Sequence, residues 1–117
     1  MLVLNISGKI KSGKNNMGIT RSGKHYPLPE WAKWRDKVVS DIRKQFSGEP
    51  LNFPCRIEIK YVAGDKRRRD VPGMMDALWH CFERAGLIED DKFFTEVHWE
   101  SLYDKENPGV RIQIGKI

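Results

Sequence analysis

Apolar residues recur along the chain with two different periods, and the periods predict its elements. Leu2, Leu4 and Ile6 alternate with Val3 and Asn5, which is the two-residue period of a short strand over 2–6. Trp31, Trp34, Val38, Ile42 and Phe46 recur at spacings of three and four, one apolar stripe of a helix that opens at Pro27 and Pro29 and stops at Gly48 and Pro50. Because the tryptophans share that stripe with Val38 and Ile42, they read as core residues rather than base-stacking platforms. Lys33, Arg35, Lys37, Arg43 and Lys44 fill the opposite face. Alternation returns over 53–63, with Phe53, Cys55, Ile57, Ile59 and Tyr61 on one face and Arg56, Glu58 and Lys60 on the other. Val71, Met74, Met75, Leu78, Phe82 and Ala85 form a second helical stripe, with Asp70 or Val71 as N-cap, Pro72 in the first turn and Gly86-Leu87 as a left-handed C-terminal cap. Two strands, over 93–102 and 110–114, close the chain.

The resulting order is β-α-β-α-β-β, and the fold class it predicts is α+β, a small mixed β-sheet with two helices packed on one face. With 117 residues there is room for one core, so a single domain over 1–117 is expected. The segment 7–26 fits neither period: it carries Gly8, Gly13, Gly18 and Gly23 and almost no apolar residues, and reads as a flexible basic loop. No apolar run is long enough to cross a membrane. Two cysteines, Cys55 and Cys81, suit neither a disulfide framework nor a zinc site and fall on apolar faces. Together these features suggest a cytoplasmic protein with reduced thiols and no membrane partner.

Charge sharpens the picture. The net charge is +5. Lys9, Lys11, Lys14, Arg21 and Lys24 occur with no acid among them, and Lys66, Arg67, Arg68 and Arg69 form one run. These nine cations exceed the net charge, so the rest of the chain is acidic overall. Positive charge gathered into two patches suits a polyanion such as nucleic acid. A solvated basic surface without any nucleic-acid role is the plainer alternative.

Acids stand at informative places beside the cations. Asp70 ends the basic run at the start of a helix. It suits a cap, or a divalent-cation ligand where Arg67 to Arg69 deliver phosphate. Glu89-Asp90-Asp91 follows the cap of the same helix, and meets Asp70 only if the following strand runs back alongside that helix. Asp76 and His80 are four apart, so they read as a surface pair, or as a metal ligand with His80 as acid/base or supporting group. His25 and His98 carry no pattern.

Arg67-Arg68-Arg69-Asp70, a helix, Ala85-Gly86 and Asp90-Asp91 resemble the RusA-type Holliday junction resolvases. The likeness is strongest over 65–92 and extends to Asn15-Asn16 and to Trp34-Arg35-Asp36-Lys37. The family pattern is a basic run, Asp-x-Asp-Asn-x-x-Lys, a helix, Ala-Gly and an Asp-Asp pair before a strand. Its first aspartate falls on Asp70 and its last on Asp91, with Asp90 beside it. Its second aspartate falls on Pro72, its asparagine on Gly73 and its lysine on Asp76, so one ligand and one cation are replaced.

The resemblance implies a homodimeric, Mg²⁺-dependent endodeoxyribonuclease, with Mn²⁺ as the alternative ion, that resolves four-way DNA junctions in recombination and repair. It also implies a cytoplasmic protein of bacterial or phage origin. Asp70 and Asp91, with Asp76 or Asp90, would hold the metal. Lys66, Arg67, Arg68 and Arg69, with Lys9, Lys11, Lys14, Asn15, Asn16, Arg21 and Lys24, would hold the DNA. Pro72 and Asp76 favour the rival reading, a junction-binding protein on the same scaffold that cuts weakly or not at all.

Overall fold

A computed structural model describes residues 1–11 and 17–117. Its elements are β1 (Leu2–Ser7), β2 (Met17–Ile19), β3 (His25–Pro27), α1 (Pro29–Gln45), β4 (Cys55–Ala63), α2 (Val71–Arg84), a 3₁₀ turn (Asp91–Phe93), β5 (Phe94–Tyr103) and β6 (Gly109–Lys116). Four strands make the main sheet in the order β1-β6-β4-β5. Here β4 runs antiparallel to β6 and parallel to β5, so the sheet is mixed and α2 is the crossover that parallel neighbours require.

The alternation in β4 has the consequence the sequence predicts. Cys55, Ile57, Ile59, Tyr61 and Ala63 are all buried, together with Leu4 and Ile6 of β1 and Val110, Ile112 and Ile114 of β6. Trp31, Val38, Val39 and Ile42 of α1 and Met74, Ala77, Leu78, Cys81 and Phe82 of α2 close over this face in one apolar cluster. Burial of a side chain such as Phe82 or Ile59 contributes roughly 1.5–3 kcal/mol. Both cysteines are packing residues, and burial pushes the Cys81 thiol up to about 12, so it is no nucleophile.

The segment expected to be structureless is corrected in two places. First, β2 and β3 pair as a small antiparallel hairpin, so the element order gains two strands. Its turn is closed by the Gly23 amide donating to the Thr20 carbonyl at 2.9 Å and the Thr20 amide donating to the Lys24 carbonyl at 2.8 Å. Gly23 supplies the positive φ of +84° that this turn needs. Second, the residues after β1 are held against α1. Trp34 Nε1 donates to the Lys9 carbonyl at 2.8 Å and Trp31 Nε1 to the Lys11 carbonyl at 3.1 Å, and Ile10 is buried between them in sequence. Apolar periodicity misses this because the anchoring comes from indole N–H groups that need acceptors. Lys14, Asn15 and Asn16 lie outside the described residues.

Candidate metal and nucleic-acid site

The two groups of acids singled out in the sequence are held by opposite ends of α2. Asp70 is the N-cap, and its carboxylate accepts the Gly73 amide at 3.3 Å. Thirteen residues on, Glu83 lies in the last turn, roughly 20 Å away at 1.5 Å per residue. Because β5 starts beyond that last turn and runs parallel to β4, Asp91 stays at the far end too. One chain therefore does not bring Asp70 to Asp90 or Asp91.

What it does bring together is Glu83, Asp90 and Asp91. One carboxylate oxygen from each lies within 4.8 Å of the others, the one such acidic group among the described residues. The local chain explains the convergence. Gly86 adopts φ +75°, which reverses the backbone after the helix, and the Leu87 amide donates to the Phe82 carbonyl at 3.0 Å. The returning strand is pinned by Leu51, whose amide donates to the Leu87 carbonyl and whose carbonyl accepts the Glu89 amide, both at 2.9 Å. Glu83 Oε1 then accepts the Asp91 amide at 3.1 Å, and Asp90 Oδ1 accepts the Lys92 amide at 2.9 Å. These bonds orient two carboxylates and leave each a second oxygen. Three surface carboxylates in this arrangement repel one another and offer hard oxygen donors, the set that suits Mg²⁺ with retained waters.

Glu83 was not among the candidates read from the sequence. Its only signal is its place in the last turn before a left-handed glycine, which brings it to the residues that follow. Asp76 and His80 do not form the expected pair. Both side chains are exposed, as a surface position implies, and the His80 ring lies 5.6 Å from the Trp31 ring, centroid to centroid. Partial desolvation of the exposed His80 ring, and then the charge of Arg35, hold its imidazole below its ordinary pKa of 6.5. Its folded value is therefore lower than its unfolded value. The neutral form stabilises the fold above about pH 6.5, and that stability is lost as pH falls below it. His80→Gln is expected to flatten this part of the pH profile of Tm between pH 7.5 and 5. An unchanged slope would place the acid sensitivity elsewhere.

The basic run is ordered by its own first acid. Asp65 accepts the Arg67 amide at 2.9 Å and is ion-paired with Arg69, which also donates to the Arg67 carbonyl at 3.0 Å. The Arg67 amide first, and Arg69 second, keep the Asp65 carboxyl below its usual range. Arg69, half-buried and held more firmly charged by the Tyr61 side chain and Asp65, is thus an internal partner. Lys66, Arg67 and Arg68 remain exposed, as do Lys9, Arg21 and Lys24. A further cationic groove of about 470 Å³, with Arg43, Lys44 and Arg84 in its lining, opens between α1 and the end of α2. Arg43 Nη2 donates to the Arg84 carbonyl there at 3.1 Å, so the groove sits directly after Glu83 in the chain.

No protein-family model matches the chain. Among curated proteins, it is 30% identical over 107 residues to the crossover junction endodeoxyribonuclease RusA of Aquifex aeolicus (strain VF5). That match spans 91% of this chain and 85% of the relative.

Proposed function

From the premise that the chain belongs to the RusA family of crossover junction endodeoxyribonucleases, we propose that it is a divalent-metal-dependent endodeoxyribonuclease that cuts four-way DNA junctions. The observation that carries this reading is the group of Glu83, Asp90 and Asp91 between the last turn of α2 and the start of β5, with Arg84 of the cationic groove next to Glu83 in the chain. Asp91 and Asp90 are two of the four ligands the sequence suggests, with Asp70 and Asp76 the others, and Glu83 joins them. When bound, a divalent ion at these oxygens supplies the charge that polarises a phosphate and acidifies a water. The protein's own side chains do the rest. Arg43, Lys44 and Arg84 neutralise the backbone entering the acidic group, and Lys66, Arg67 and Arg68 hold phosphates at the other end of α2. Asp65 keeps the basic run in one conformation, so less ordering is needed on binding.

Glu83 gives the group around Asp91 a third acid, while Pro72, at the other end of α2, leaves Asp70 without the second carboxylate of the family pattern. The test is nicking of a synthetic four-way junction with Mg²⁺, against linear duplex of the same sequence. Junction-selective, chelator-sensitive cleavage is expected. A salt-dependent gel shift with no cleavage in Mg²⁺ or Mn²⁺ supports the non-cutting reading instead. Affinity for the junction is also expected to fall steeply with salt, and Arg67→Ala to lower the slope of log K against log salt by about one unit. An unchanged slope would remove Arg67 from the DNA contacts.

A further inference from the structure

A cavity of about 330 Å³ opens at the end of α2 away from the acidic group, a size that takes a small ligand. It lies where the sheet continues past the start of the helix. In the parallel register Tyr61 stands beside Ser101 and Ala63 beside Tyr103, so all four project from the face that the helices cover. Tyr61 and Ala63 are buried, but Tyr103 is 48% exposed. The lining joins apolar Ala63, Val71 and Tyr103 to cationic Lys66, Arg67 and Arg69. Asp65, the one acid in that lining, is ion-paired with Arg69.

We infer that this cavity takes an unpaired nucleotide of the DNA junction, its base stacked on Tyr103 and its phosphates on Lys66 and Arg67. Ala63 is buried and Val71 half-buried, while Lys66 and Arg67 are exposed, so apolar surface lies inside and positive charge at the mouth. A nucleotide matches that division, with a flat base whose faces are apolar and an anionic group on a short tether. A purely apolar ligand would leave the cations unused. Lys66 Nζ already lies over the Tyr103 ring, 5.1 Å from its centroid, so a cation is held where ring and phosphate meet. An exposed ring beside cations is the combination that holds single-stranded nucleic acid, because every base has a face to stack and every nucleotide a charge. The wall is also firm. Arg69 is held between Tyr61 and Asp65, and Tyr103 is fixed by the pairing of β5 with β4, so little ordering is needed on binding.

The inference rests on the proposed junction-cutting activity and gives it a source of structure selectivity. In an opened four-way junction the base pairs at the branch point have a stacking neighbour on one side only. They therefore cost least to open, whereas a base inside linear duplex must leave two neighbours. A cavity that rewards an unpaired base thus favours branch points without reading sequence.

Anisotropy of a labelled four-way junction in Ca²⁺ measures the affinity, and circular dichroism confirms that the variants fold. Tyr103→Ala is expected to weaken junction binding about tenfold and linear-duplex binding by less than about twofold, while Tyr103→Trp binds as tightly as the parent. The ring carries no charge, so Tyr103→Ala should keep the parent's salt slope, whereas Lys66→Gln should lower it by about one unit. An abasic site is then placed at each branch-point position in turn. At one position it should weaken the parent by the same factor of about ten, and Tyr103→Ala should add nothing there. Losses that add at every position, an equal loss on linear duplex, or a Tyr103→Ala protein that sediments differently from the parent would overturn the base site. If the parent cuts the junction in Mg²⁺ alongside any of those results, the cleavage reading stands and the base site alone falls. A parent that neither binds nor cuts the junction would overturn both.

Discussion

Asp91→Asn is expected to reduce Mg²⁺-dependent junction cleavage by at least about 100-fold, beyond the 10–100-fold typical of residues that only support a ligand. The side chain is exposed, and the structural bond at this residue is made by its backbone amide to Glu83, so the asparagine variant keeps the local fold. The metal-free and metal-loaded proteins should respond with opposite sign. Carboxylates within 4.8 Å repel by about 1 kcal/mol per pair in water, so removing one charge leaves the metal-free protein slightly more stable. Mg²⁺ should raise the Tm of the parent, and that rise should shrink in the variant. Glu83→Gln is expected to behave in the same way. Cleavage that survives in Asp91→Asn, with the Mg²⁺-induced rise in Tm intact, would refute the assignment of Asp91.

Phe82→Ala should cost about 3–5 kcal/mol of stability, a large share of the roughly 5–15 kcal/mol that holds a domain together. The ring is fully buried. Its centroid lies 5.7 Å from Trp79 and 6.0 Å from Phe94, edge-on to the latter, so truncation leaves a cavity between α2 and the start of β5. That is also the junction on which the acidic group rests, because Glu83 follows Phe82 and the Phe82 carbonyl accepts the Leu87 amide that turns the chain. Urea denaturation of the variant should give a lower midpoint with an unchanged m-value. Phe82→Leu, which keeps most of the volume, should cost less than about 1.5 kcal/mol. Equal costs for the two variants would mean that the site collapses without a cavity.

Much of the fold is legible in the residues because its elements bury one face each. The alternation of Cys55, Ile57, Ile59 and Tyr61 and the stripes of Trp31 to Ile42 and Met74 to Phe82 all appear as buried surfaces. Asp70 caps α2 and Gly86 ends it with a positive φ, as their residue types suggest. The hairpin over β2 and β3 was not legible. Its order depends on turn hydrogen bonds around Thr20 and Gly23 rather than on apolar surface. The Asp76–His80 pairing failed for a related reason. Spacing says which side chains can meet, but the ring of His80 found a larger apolar neighbour in Trp31 of another helix.

The candidate site shows the same division. Asp90 and Asp91 stand out in the sequence as acids placed before a strand, and the basic run stands out as a block of charge. The sequence by itself determined the α+β architecture, the buried faces, the caps of α2 and the two cationic patches, because periodicity, glycine and proline act locally. Only the tertiary structure decided that Glu83 joins Asp90 and Asp91 and that Asp70 stands at the other end of the helix from them. Each of these depends on where the crossover helix delivers its two ends, and no local pattern carries that information.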